Sequence, residues 1–307
     1  MVIAPFTASY SQRSPYITLE EFKFSPTASA IDVSDLISSG GQAAQDRALS
    51  DLITRASNMA DTYVTGKSYG TIGASLNTEN GRYYANRQGQ FIIKPNFTPI
   101  IALETFSYGP SIANQIQIPL STANVSIEET EFIVSAWWGT NGVSFSGQNF
   151  GLLGGFSNTQ KQFCEWTYVN GWANSFLTAD AASGQNHVVL TNVTGIYPGM
   201  NLTIWDGMND ENVVVSSSYS TGSTTVTLAS NLQYRHGTGC NISAIPPVVK
   251  QAVIHFVIGM VKDRGQDGVS LSDSGLTEIG TRGKINSEDL AYGYDLLDEF
   301  RSVWGRS

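Results

Sequence analysis

Few side chains in this chain have chemical scope. It has three histidines, His187, His236 and His255, and two cysteines, Cys164 and Cys240, among 307 residues. The stretch "HGTGC" places His236 and Cys240 close together. A thiol–imidazole pair needs a third group to orient the ring and an electropositive site to hold the thiolate. The spacing reads better as a glycine turn between strands. His255 sits inside an apolar run, where a packed, hydrogen-bonded histidine is the ordinary case. His187 opens a strand and is expected to be exposed. No GxSxG nucleophile elbow is present, because "GVSFSG" (Gly142 to Gly147) is off by a residue. No phosphate-binding GxxxxGK[ST] occurs either.

The carboxylates give a similar answer. "WDGMNDE" holds Asp206, Asp210 and Glu211, and hard cations favour clustered oxygens. The stretch lacks the D-x-D-x-D rhythm of a calcium loop and reads as a solvated hairpin tip. Asp263, Asp267 and Asp273 read the same way. Glu128, Glu129 and Glu131 lie beside a strand, where they can deter sheet-edge pairing or meet a basic partner surface. The residues therefore predict no catalysis, no cofactor and no metal. Two recognition features remain. Trp137 and Trp138 are consecutive, so in a strand one points out and could stack on a sugar or anchor an interface. The closing "FRSVWGRS" groups Phe300, Arg301, Trp304 and Arg306, a composition enriched in interface anchors.

The rest of the chain has to position these groups. Charged residues make up 14% and hydrophobic residues 41%. The charge deficit is filled by Ser, Thr, Asn and Gly, which favours turn-rich β-structure. A net charge of −9 without a long basic run argues against gripping nucleic acid through its phosphates. It is compatible with DNA sliding past a like-charged wall. The two distant cysteines suit free thiols in a reducing compartment. The start "MVIAPFTASY" has no basic n-region, so no signal peptide is expected. The longest apolar run, Ala252 to Val261, is too short to span a bilayer.

Helical signals gather at the two ends. "TLEEFKF" has a capping-box spacing from Thr18 to Glu21, and Pro26 stops it. Asp46 to Val64 carries Leu49, Leu52, Ile53, Ala56, Met59, Ala60 and Tyr63 on one face, and Gly66 ends it. "IPPVVKQAVIHFVIGMVKDRG" (Ile245 to Gly265) predicts a helix entered through proline. Val249, Ala252, Val253, Phe256, Met260 and Val261 form one apolar face, and Ile254, Val257 and Ile258 a second. A small bundle needs only one such face, so the second predicts a subunit contact. After a Gly/Ser-rich loop, Ser287 caps a last helix with Leu290, Tyr294, Leu297, Phe300 and Trp304 in register.

Between these ends the pattern turns to strands. Short strands are expected around Pro95 and Pro99, a strand pair in "NVSIEETEFIVSAWWG", and a strand in "FCEWTYVNGW". From Gly184 two halves each read strand, glycine turn, strand, and predict a small antiparallel sandwich or barrel of about five strands. Similar composition alone can make two such halves alike, so no duplication is inferred. The expected fold is α+β: a helical domain formed by residues 1–66 and 245–307, interrupted by an antiparallel β-rich insertion over 67–244.

"YITLEEFKF … DRALSDLITRASNMADTYV", "IPPVVKQAVIHFVIGMVKDRG" and "LAYGYDLLDEFRSVW" together resemble the head–tail connector adaptors of tailed bacteriophages. The likeness covers roughly residues 16–65 and 245–304. The long middle departs from the minimal family, although "YVNGWANSFLTADAASG" and "VTGIYPGMNLTIWDG" look like insertions in long adaptors of phages infecting actinobacteria. The resemblance implies a virion protein of the phage neck, made in the host cytoplasm. Such a protein forms a ring of twelve below the portal, extends the DNA channel and docks the next neck (stopper) protein, while double-stranded DNA passes without being read. Twelve copies would carry a charge on the order of −100, compatible with unhindered passage. The resemblance places Phe300, Arg301, Trp304 and Arg306 against the portal. Ile254, Val257, Ile258 and Tyr63 are the candidates for ring contacts. No membrane is expected as a partner. The alternative is a β-rich receptor- or glycan-binding virion protein with helical oligomerisation ends, in which Trp137 and Trp138 recognise the ligand.

Overall fold

A computed structural model describes residues 14–28, 36, 40–66, 70–86, 89–120, 124–135, 161–265 and 288–304, with backbone alone at 263–265 and 302–304. Among the described residues the chain is mixed α/β. Four helices accompany several antiparallel sheets, and no sheet closes into a barrel. The chain forms two compact units, Met1–Gly73 with Ala173–Gly305, and Ala74–Trp172. The smaller unit is shorter than the expected 67–244 insertion, because the strands after Ala173 group with the helices.

In the first unit, α1 (Leu19–Phe24) begins with the expected capping box: Glu21 N–H donates to Thr18 Oγ1 at 3.0 Å and Thr18 N–H to Glu21 Oε2 at 2.6 Å. Two orphan donors of the first turn are thus satisfied reciprocally. α2 (Gly41–Thr65) starts earlier than its apolar period suggests and ends at Gly66 with φ 63°, a backbone that favours glycine. Its apolar stripe buries Leu49, Leu52, Ile53, Ala56 and Ala60. A polar notch interrupts the stripe. Asp61 Oδ1 receives the Tyr16 hydroxyl and, at 2.7 Å, Ile72 N–H, while Ser57 Oγ receives Tyr16 N–H at 3.1 Å. The segments before and after the two helices are thereby tied to α2.

α3 (Pro247–Gly265) packs against both α2 and α4 (Glu288–Trp304). Its apolar faces are consumed within the chain: Ile254, Val257 and Ile258 are all buried. This corrects the reading of a spare face, since a central helix with neighbours on several sides is apolar all round for its own core. The α3–α4 contact is close. Gly293 lies so near that an added Cβ would stand 2.6 Å from Phe256 Cε1. The expected Ser287 cap lies outside the described residues.

The same unit holds six strands: β8 (Asn174–Phe176), β9 (His187–Val189), β10 (Asn201–Trp205), β11 (Glu211–Val214), β12 (Thr225–Thr227) and β13 (Asn241–Ser243). They form one sheet in the order β11-β10-β13-β8 and a pair β12-β9. Both share a core that includes Leu177, Val188, Leu202, Ile204, Val213, Val226 and Ile242. This region is an internal duplication. β9 pairs with β12 through Val188 and Val226, and β10 with β13 through Thr203 and Ser243. β11 then flanks β10 as β8 flanks β13. The bridge Leu177–Leu190 is repeated as Val215–Leu228. Leu190 N–H donates to Thr224 O at 2.9 Å, and Leu228 N–H to Asn186 O at 2.8 Å. Gly184 and Gly222 occupy matching turns with φ 85° and 90°. Equivalent residues therefore meet across a local two-fold.

The second unit contains β1 (Ser75–Tyr83), β2 (Gln90–Ile93), β3 (Ile100–Ser111), β4 (Asn114–Gln117), β5 (Val125–Ile127), β6 (Phe132–Ser135) and β7 (Gln162–Asn170). Its sheets run β1-β7-β3-β4 and β2-β6-β5. Aromatic rings join them. Phe91 of β2 lies 5.8 Å from Phe106 of β3, and Phe132 of β6 lies 6.2 Å from both Phe106 and Trp166 of β7. Such tilted and edge-on pairs suit the ring quadrupoles. Trp137 and Trp138 lie outside the described residues.

Candidate functional site

α2 and α4 enclose an open groove of about 550 Å³, lined by Arg55, Asn58, Met59, Thr62, Tyr63 and Gly66 on one side and Tyr294 and Arg301 on the other. It brings together Tyr63 and Arg301, which the sequence assigns to two different contacts. The rings of Tyr63 and Tyr294 lie 4.6 Å apart, tilted by 46°, and the Arg301 guanidinium sits 5.1 Å above Tyr63. The Tyr63 hydroxyl donates to Asp298, and this bond, with burial, raises its pKa. Tyr294 also meets Phe256 of α3 at 4.8 Å, so the groove's floor is anchored in the helical core. Fixed aromatic faces beside exposed guanidiniums suit an acidic or planar partner group. Phe300 is half-buried beside Arg301. The Trp304 side chain and Arg306 lie outside the described residues.

The groups with catalytic scope are otherwise engaged. His236 is fully buried, with Nδ1 2.9 Å from Asp206 Oδ2 and Nε2 3.2 Å from Glu211 Oε2. Its place in the duplication is that of Ile196, also buried. A histidine in an isoleucine's position needs polar partners, and the two carboxylates supply them. Asp206 and Glu211 are therefore not a solvated tip. Asp206 Oδ1 caps its own loop, receiving Met208 N–H at 2.9 Å, and Glu211 receives Gln233 N–H at 2.8 Å. Burial alone would raise the Asp206 carboxyl. The N–H groups of Asn209 and Met208, with His236, outweigh that and hold it below its ordinary value.

Burial pushes the Cys164 thiol up to about 12, and burial also raises Cys240. Both thiols are free and buried. His255 meets Gln251 at 3.1 Å, Asp289 at 3.4 Å and the Tyr292 ring edge-on, as a packed histidine should. His187 is exposed and touches Gln185. Among the described residues no His/Cys/Asp/Glu group has the geometry to hold a metal ion, and no helix is long and apolar enough to cross a membrane.

The sequence reading misses one buried charge pair. Lys250 of α3 is 4% exposed; its Nζ lies 2.6 Å from Glu21 Oε1 and 2.8 Å from Asn241 Oδ1, above the Trp205 ring at 4.4 Å. Glu21 thus closes the α1 capping box with one oxygen and binds α3 with the other. Asn241 in turn donates to Asn174 Oδ1 at 2.7 Å. Burial lowers the Lys250 ammonium to about 8 despite the attraction of Glu21, and burial raises the Glu21 carboxyl against the pull of Lys250. The pair is a clasp between α1, α3 and the duplicated sheet. A lone lysine in the apolar "VVKQAVIHF" was the available signal.

No family model matches the chain, and no curated protein matches it.

Proposed function

We propose that this protein is a structural subunit of the neck of a tailed bacteriophage, an adaptor that forms a ring below the portal, extends the DNA channel and docks the next neck protein. One observation carries the reading. The segments that bear the resemblance come from opposite ends of the chain, yet they pack together: α2 and α4 against α3, and α1 clasped to α3 through Glu21 and Lys250. Two remote likenesses that fold into one body support a shared ancestry better than two that do not. In this reading the helices form the adaptor body, with the β-rich middle as its elaboration. The ring has twelve copies, as the resemblance implies, and α4 with the C-terminal segment faces the portal. The absence of a membrane-spanning helix among the described residues is compatible with a virion location.

The burial of Ile254, Val257 and Ile258 moves the ring contact to other surfaces. Tyr63, half-exposed in the groove, is the one ring candidate of the four that stays accessible. We propose no catalytic role. No observation on the described residues favours glycan binding.

Cryo-electron microscopy of purified virions, with symmetry-relaxed reconstruction of the neck, tests the reading. The expected result is this chain traced as a ring directly below the portal. Density at the tail tip or on the capsid surface instead would overturn it.

A further inference from the structure

We propose that the α2–α4 groove receives the acidic β5–β6 turn of a second copy of this chain, a head-to-tail contact between protomers. The groove presents two exposed guanidiniums. Arg55 has no ion pair or hydrogen bond among the described residues, and Arg301 is held over the Tyr63 ring. No carboxylate belongs to the groove's lining, and the neighbouring Asp298 already accepts the Tyr63 hydroxyl. In a chain of net charge −9, the charged residues of this groove's lining are both arginines.

The complementary element is in the same sequence. The turn from Glu128 to Glu131 joins β5 to β6 and is closed by Glu128 N–H on Glu131 O at 2.8 Å. Ile100 N–H holds Glu129 O at 3.0 Å, so the turn's backbone is fixed. Glu128 and Glu129 project their carboxylates into solvent, while Glu131 is half-buried and pairs with Lys94 at 3.6 Å. A small turn with a hydrogen-bonded backbone and two exposed carboxylates matches a groove with two guanidiniums in charge. Because groove and turn are different surfaces, each protomer offers one and receives the other. Contacts of that kind close into rings when the rotation permits. The proposal refines the neck-ring reading, moving Arg301 from the portal contact to one between protomers, but does not need that reading in order to be tested.

The experiment is a charge swap in the full chain, read by chemical cross-linking and analytical ultracentrifugation at low salt. One variant carries Arg55→Glu and Arg301→Glu, the other Glu128→Lys and Glu129→Lys; circular dichroism checks that both fold. The wild type is expected to associate in a salt-sensitive way. Each variant alone should lose association by about tenfold or more, since like charges then face each other. An equimolar mixture should regain it, because the acidic groove of one fits the basic turn of the other. Unchanged association in both variants, no recovery in the mixture, or a wild type that stays monomeric at every attainable concentration would overturn the contact. Salt-sensitive retention on double-stranded DNA that only the arginine variant loses, with self-association intact, would assign the groove to phosphate and also overturn it. A successful swap in a protein found elsewhere than the neck would sink the adaptor reading and leave this contact standing.

Discussion

Lys250 shows how much one side chain can be asked to hold. Its ammonium is enclosed by Glu21, Asn241 and the Trp205 ring, so removing it strands a buried carboxylate. Lys250→Met should cost about 3–5 kcal/mol, and adding Glu21→Gln should recover part of that by removing the stranded charge while keeping an acceptor for Thr18 N–H. Urea unfolding of the two single variants and the double variant measures both; a double-variant loss equal to the sum of the single losses would show that the pair is not coupled. Asp206 offers a test in pH. Its carboxyl is held below the ordinary carboxylate value in the folded chain, so the folded state binds fewer protons than the unfolded state at acid pH. Its stabilising contribution is complete above the ordinary value near 4 and is lost as pH falls through the lowered one. Asp206→Asn should flatten that part of the acid-unfolding curve.

Among the elements, α3 and α4 depend on a missing side chain. Gly293 lets Phe256 lie against the α4 backbone, and a methyl there would also approach Ala252 O at 3.2 Å. Gly293→Ala should destabilise by about 1–3 kcal/mol through overpacking, despite alanine's better helix propensity. Thermal melts of the pair decide the sign. The elements were unequally legible. α1's cap, α2's stripe and the start of α3 follow from Thr18, Gly66 and Pro247, whose local chemistry acts whatever the fold. β1 and β4 escape the reading. "SLNTENGRY" lacks an apolar alternation because β1 has no fully buried residue, and "NQIQ" is too short to show a period. The duplication is faint in the letters, where "PGMNLTI" answers "TGCNISA". It becomes plain once Val188 meets Val226 and Thr203 meets Ser243.

For the molecule as a whole, the division into two compact units predicts separable stability. Hydrogen exchange on the full chain should show Lys250→Met loosening amides of α1, α3 and β13, while β3 and β7 keep their protection. Uniform loosening would mean that the two units unfold as one. The boundary near Trp172, rather than near Ala244, reflects where side chains tie down: Asn174 donates to Pro15 O at 3.1 Å, and Asn241 accepts from Lys250. Composition changes little across Trp172, so nothing in the sequence marks that border.

What the sequence determined by itself is what short-range physics dictates: helices at both ends, strands between them, and few groups able to do chemistry. The tertiary structure alone decided which surfaces are free. Periodicity reveals that Ile254, Val257 and Ile258 form an apolar face, but a face buried by its own chain and one buried by a neighbour have the same pattern. The same limit hid the groove, since Arg55 and Arg301 become neighbours only when α2 meets α4. It hid the fate of His236 too, whose two carboxylate partners come from another loop and strand. Burial and charge pairing depend on contacts between distant residues, and those exist only once the chain has folded.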